Sequence, residues 1–219
     1  KDKIVQKFVK DNQIERHVHT KWGTSSLVTA SNYLIEEALK DETNKYFVLV
    51  SETCIPLYTF NYIYKKLFSS NKSYLYTGLT PTRGVKVYEK TLDIVYSKIS
   101  NPEELVDRDT IMRNSQWMIL NREHAEISNR YNYEHLFKNF KVADEWYYWN
   151  VLNKHDQNFK DNHIADVKPT FFKYDGEKHS NGFNPHPFEW NFKEVLMEVV
   201  REISPDSLFV RKISPKNKI

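Results

Sequence analysis

Phe47, Val48, Leu49 and Val50 form an unbroken apolar run that stops at Ser51-Glu52-Thr53-Cys54-Ile55-Pro56. That is the pattern of a strand buried on both faces, as in the middle of a parallel sheet, and closed by a turn. Ahead of it, Leu27, Ala30, Leu34, Ile35, Ala38 and Leu39 recur at helical spacing behind a Thr24-Ser25-Ser26 cluster suited to capping, which predicts an amphipathic helix. Pro56 suits a first helical turn, so a second helix is expected over residues 57–68. Short strands follow at 74–76 and 115–120, with a helix over 122–130. Asp144 reads as the cap of a helix over 145–153 that carries Trp146, Trp149 and Leu152. A weakly alternating strand at 170–174, a rigid Asn181-Gly182 and Pro185-His186-Pro187 loop, a helix over 191–203 and a strand at 208–210 complete the order. Residues 79–110 lose periodicity and read as an irregular insertion with one short helix. Helices alternating with strands predict an α/β protein with a mostly parallel or mixed sheet.

Length and composition narrow the function. The chain of 219 residues fits one domain with a sizeable core. Its 32 basic and 29 acidic residues leave a net charge of only +3, too balanced for nucleic acid or an anionic membrane to be the expected partner. An anionic ligand would have to be met locally. Aromatic residues make up 15% of the chain, and such rings stack on sugar faces as readily as they fill cores. Cys54 is the single cysteine, which excludes an intrachain disulfide and a cysteine-built zinc site and points to a reducing compartment. No apolar run reaches the roughly 18 residues a spanning helix needs, so no membrane segment is expected in this chain. It begins at Lys1 rather than Met, and an upstream part is expected.

Three constellations offer chemistry. Open α/β sheets bind ligands beyond the carboxyl ends of their strands, so Glu52 stands where a carboxylate can meet a substrate. Asp107-Arg108-Asp109 has the Asp-x-Asp form with which metal-dependent transferases hold Mn²⁺ or Mg²⁺ between phosphates. With acidic residues this frequent the pattern also arises by chance, and only Leu105 and Val106 precede it. His17 and His19 could share one face of a strand as a metal pair. Without a third ligand nearby they are expected to be surface histidines, and no metal site is assigned.

Six segments, in this order, resemble the core-two and I-branching glycosyltransferases, glycosyltransferase family fourteen. They are Trp22-Gly23 before a helix, Ser51-Glu52 with Pro56 four residues on, Arg113-Asn114-Ser115-Gln116-Trp117, Asp144-Glu145 opening a helix, Pro185-His186-Pro187, and Leu208-Phe209-Val210-Arg211-Lys212. The resemblance implies a single GT-A-like domain over residues 1–219, an inverting reaction and no bound metal or other cofactor. Its donor would be a UDP-sugar of the N-acetylglucosamine, xylose or glucuronic acid class, and its acceptor a glycan or glycoprotein. Animal members of the family are rich in disulfides and sit in the Golgi behind a membrane anchor, and this chain differs on both counts. Such folds bind uracil and ribose with a first strand, and the 21 residues before Trp22 are too few and too polar to supply it. The domain is therefore expected to be incomplete at its N-terminus, with that strand upstream, or to hold its donor poorly.

By the same resemblance, Glu145 is the base that takes the acceptor proton, at a helix start that favours negative charge. The alternative is that Asp144 and Glu145 only cap the helix. Lys212, with Arg211 beside it, would meet the donor diphosphate as it leaves, the alternative being a solvated basic tail. His186 is the nearest match to a second basic group on the diphosphate. Glu52, Ser115, Gln116, Trp117 and Tyr174 would contact acceptor or sugar, Trp117 by stacking. A metal-dependent transferase using Asp107 and Asp109, and a non-catalytic glycan-binding domain of the same fold, are the rival expectations.

Overall fold

The computed structural model describes residues 7, 10–77, 93, 96–105, 110–172 and 206–213. The first helix, α1 (Ser26–Leu39), is entered through Gly23, whose φ of +72° lies in the left-handed region that glycine adopts without penalty. The carbonyl of Gly23 accepts the Val142 N–H at 2.7 Å, so this turn also anchors the segment leading to a distant helix.

β1 (Tyr46–Val48), β3 (Ser73–Tyr74), β4 (Ile119–Asn121) and β5 (His163–Ile164) form one sheet in the order β1-β4-β3-β5. β4 runs antiparallel to β1 and β3, and β5 runs parallel to β3. A second sheet has the order β2-β7-β6, from β2 (Ile55–Pro56), β6 (Thr170–Phe171) and β7 (Phe209–Val210), with β2·β7 antiparallel and β6·β7 parallel. Both sheets are thus mixed, and helices flank them, the α/β architecture expected of a GT-A-like domain.

Strand alternation divides the core into two layers. Phe47 and Leu120 join Val28 and Ile35 of α1, Ala125 of α3 (Arg122–Arg130), and Tyr147, Tyr148, Val151 and Leu152 of α4 (Asp144–His155). Their neighbours Tyr46, Val48 and Ile119 turn to the opposite face, against Ile63 and Leu67 of α2 (Phe60–Ser70), Tyr74 and Leu208. β1 and β5 are the edge strands of this sheet among the described residues. Beside β1 opens an apolar cavity of about 400 Å³ lined by Leu34, Ile35, Phe47, Val50, Met118 and Leu120 among others.

Several boundaries differ from the expected ones for local reasons. Pro56 does not open a helix but lies in β2, an edge strand, where a missing N–H is tolerated. α2 starts after extended Thr59 and stops at Asn71, whose φ of 51° is left-handed and whose N–H bonds to Leu67 O. β1 is shorter than the apolar run, and Val50 is 45% exposed rather than buried. Asp144 is not a cap: Ala143 takes that position, and Asp144 lies in the first turn. α3 has the predicted bounds, capped by the Asn121 side chain, which accepts the His124 N–H at 2.9 Å. A short helix, α5 (Phe159–Asn162), leads into β5. The expected helix over 191–203 and most of the 79–110 insertion lie outside the described residues. No helix among the described residues is long and apolar enough to cross a membrane.

Candidate active site

Because β1 and β3 both run antiparallel to β4, the residues after β1, Tyr76 after β3 and residues 113–118 ahead of β4 meet at one rim of the sheet. Backbone bonds fasten this rim: Ser115 N–H donates to Tyr76 O at 2.7 Å, and Leu49 N–H to Met118 O at 3.1 Å. The carboxyl ends of β6 and β7 arrive at the same place. Arg211 N–H donates to Phe171 O at 2.9 Å, Ile213 N–H donates to Thr53 O at 2.9 Å, and the Arg211 guanidinium carbon lies 3.9 Å above the Trp117 ring. The start of α4 closes the cluster, where Asn114 N–H donates to Glu145 O at 2.8 Å.

Glu145 is held in a fixed pose. Arg113 Nε donates to Glu145 Oε2 at 2.7 Å, and Arg113 Nη2 donates to the same oxygen. The other carboxylate oxygen, Oε1, makes no hydrogen bond among the described residues, and the side chain keeps 18% of its surface exposed. One oxygen is therefore clamped while the second is left without a hydrogen bond among the described residues. Beside it, Asp144 is only 5% exposed, and its Oδ1 has no hydrogen-bond partner among the described residues. Burial, then the neighbouring Glu145 carboxylate, pushes the Asp144 pKa up to about 6.

The remaining predicted residues fall into three groups. Arg211 and Lys212 are half-buried at the end of β7, and Glu52 is exposed in the turn that receives Ile213. Gln116 and Trp117 are half-buried at the rim, with Arg211 covering one face of the Trp117 ring. Ser115 is different: it is 2% exposed and its Oγ accepts the Trp117 N–H at 3.2 Å, so its hydroxyl shapes the turn. Tyr174, His186, Asp107 and Asp109 lie outside the described residues. His17 and His19 are exposed, and no three His, Cys, Asp or Glu side chains gather as metal ligands among the described residues.

Sequence spacing did not reveal Arg113 as the partner of Glu145, because 32 residues separate them. The acidic pair at a helix start was the visible signal for Asp144, yet it suggested a cap. A further constellation is built from Ser73, His124 and Asp156. Ser73 Oγ lies 2.7 Å from His124 Nδ1, and Asp156 Oδ2 lies 2.9 Å from His124 Nε2. Those partners assign the Nε2–H tautomer, donating to Asp156 and accepting from Ser73. The residue types are those of a nucleophilic triad. All three are buried, however, and Ser73 Oγ also accepts the Asn121 N–H at 2.9 Å, so the set is a clamp between β3, α3 and the end of α4. Burial pulls the His124 pKa below its ordinary value in spite of the aspartate. Burial alone would push Asp156 up, but bonds from His124, the Asn158 N–H and Asn162 outweigh it and hold that carboxyl below the usual range.

The family model for the Core-2/I-Branching enzyme matches residues 1–202. A curated relative, the protein named Glycosyltransferase BC10 of Oryza sativa subsp. japonica, is 33% identical over 120 residues. That match covers 55% of this chain but only 27% of the relative's length.

Proposed function

This chain belongs to the Core-2/I-Branching enzyme family, and from that membership and the rim geometry we propose that it is the catalytic part of an inverting, metal-independent glycosyltransferase. It moves a sugar of the N-acetylglucosamine, xylose or glucuronic acid class from a UDP-sugar to a hydroxyl of a glycan. The observation that carries this reading is the pose of Glu145, with Oε2 clamped by Arg113 and Oε1 without a hydrogen bond among the described residues. A fixed carboxylate with one open oxygen is what a general base requires, since proton transfer depends first on reach and aim.

The reaction is an in-line displacement at the anomeric carbon with oxocarbenium character. Glu145 Oε1 takes the acceptor proton while the acceptor oxygen bonds to the anomeric carbon. The bond from that carbon to the diphosphate oxygen breaks, and UDP leaves with the electron pair. Lys212 and Arg211 meet the charge that builds on it, which lowers the barrier most where the charge develops. Stacking on Trp117 orients Arg211, whose rigid fork suits a diphosphate. Glu52, Gln116 and Trp117 line the approach for the sugar hydroxyls, and Tyr174 and His186 belong to the same reading.

The test is UDP release from a panel of UDP-sugars with glycan acceptors, by the wild type and by Glu145→Gln. The substitution keeps size and a hydrogen bond to Arg113 but removes the basic oxygen. Turnover is expected to fall about 10²-fold or more with donor affinity nearly unchanged. Turnover within a few-fold of wild type would return Glu145 to a structural role.

A further inference from the structure

Asn71-Lys72-Ser73 is the one place in the sequence where an asparagine is followed two residues on by serine or threonine, with no proline between them. That spacing is the acceptor pattern of N-linked glycosylation. Such triplets also arise by chance, and what distinguishes this one is its place in the fold. Asn71 is exposed just past the last turn of α2, where its left-handed φ of 51° turns the chain toward β3. Its backbone is held on both sides, the N–H on Leu67 O and the carbonyl by Asn121 Nδ2 at 3.1 Å. Its side-chain amide makes no hydrogen bond among the described residues. The turn lies beside the start of β1, because Tyr46 Oη donates to Leu67 O at 2.6 Å. It is therefore at the opposite end of the sheet from the rim, and a bulky group there leaves the cleft clear.

The surface beside Asn71 suits a sugar. Phe68, three residues back, is exposed, and so is Tyr64, whose ring stacks on it with 4.1 Å between centroids. Residues three apart are neighbours on a helix surface, and the C–H face of a sugar covers an apolar ring that otherwise meets water. We propose that Asn71 is an N-glycosylation site whose first sugar lies against the Phe68 ring. In the transfer, Asn71 Nδ2 bonds to the anomeric carbon of an oligosaccharide carried on a lipid diphosphate. The bond from that carbon to the diphosphate oxygen breaks, the lipid diphosphate leaves with the electron pair, and the amide loses one proton. Ser73 sets the timing. It is fully buried in β3, its Oγ accepts the Asn121 N–H at 2.9 Å, and it lies 2.7 Å from His124 Nδ1. The hydroxyl that the acceptor pattern requires is thus within reach only before β3 forms, so the transfer precedes folding. The lipid-linked donor belongs to the secretory compartment, and a chain with one cysteine forms no intrachain disulfide there or elsewhere. This site stands apart from the transferase reading and holds whether or not that reading does.

The test expresses the full chain behind an added, cleavable secretion signal in a eukaryotic host and recovers it from cells and medium together. Chain retained inside the host is then read as well. A glycan-releasing amidase leaves aspartate where a glycosylated asparagine stood, which peptide mass spectrometry locates. The expected result is a glycan on residue 71 in most of the wild-type chain and none in N71G, in which glycine takes the left-handed turn without strain. Wild-type chain freed of its signal but unmodified at Asn71 overturns the proposal. Folded chain made in bacteria and offered to microsomes should stay unmodified, and its glycosylation would overturn the order of events. Release of the glycan should lower the Tm of the wild type by about 2 °C or more and that of F68A by less than about 1 °C. Equal shifts in the two overturn the placement of the sugar on the ring.

Discussion

Asp144 and Glu145 are adjacent carboxylates with opposite treatment. Glu145 has an arginine on one oxygen, while Asp144 is buried with an oxygen unsatisfied. A carboxyl whose pKa is pushed up to about 6 on folding binds its proton more tightly in the native state than in the unfolded chain. Its stabilising contribution is full below the unfolded value near 4 and is lost as pH rises through about 6, leaving a cost on the order of 3 kcal/mol at pH 8. Asp144→Asn removes that cost. Its melting temperature should exceed that of the wild type at pH 8 by several degrees and match it within a degree or two at pH 4. Equal melting curves at both values would show that Asp144 gives up its proton in the native state as readily as in water. The neighbouring clamp has the reverse slope: His124, drawn below its ordinary value, contributes stability present above about pH 6.5 and lost as acid protonates it.

Helices of nine to fourteen residues were legible because an apolar stripe repeated over several turns leaves a strong pattern. Strands of two or three residues carry too few positions for alternation to fix their ends, and pairing partners far along the chain decide them. Pro56 misled for that reason. Its position in an edge strand is a fact about the neighbour β7, which local sequence does not carry. The junction of β4 and α3 was legible, since Asn121 ends the strand and caps the helix. The same side chain donates to Asn71 O at 3.1 Å, tying the helix start to the end of α2. Asn121→Ala should cost about 1–2 kcal/mol, more than a cap on a free helix, because the Asn71 carbonyl also loses its donor. Urea unfolding with unchanged slope would report that loss, and a shift below about 0.3 kcal/mol would mean that water replaces both bonds.

The candidate site was legible where its residues sit in short ordered motifs and illegible where it depends on distant neighbours. Glu145, Arg211 and Lys212 stood in recognisable stretches, whereas Arg113 gains its meaning from a helix 32 residues on. These pieces converge because both sheets deliver strand ends to one rim, so a diphosphate there would face the cations Arg211 and Lys212. Two positive side chains offset most of the two to three negative charges of a departing nucleoside diphosphate, the task a divalent ion performs in metal-dependent transferases. Transfer measured in excess EDTA should therefore keep most of its rate. Should Asp107 and Asp109 instead hold Mn²⁺ or Mg²⁺ against the phosphates, a chelator would abolish transfer and added metal would restore it, because two carboxylates facing a diphosphate repel it without a cation between them. Loss of activity in EDTA with rescue by Mn²⁺ would move the burden of the leaving group from Lys212 and Arg211 to that aspartate pair.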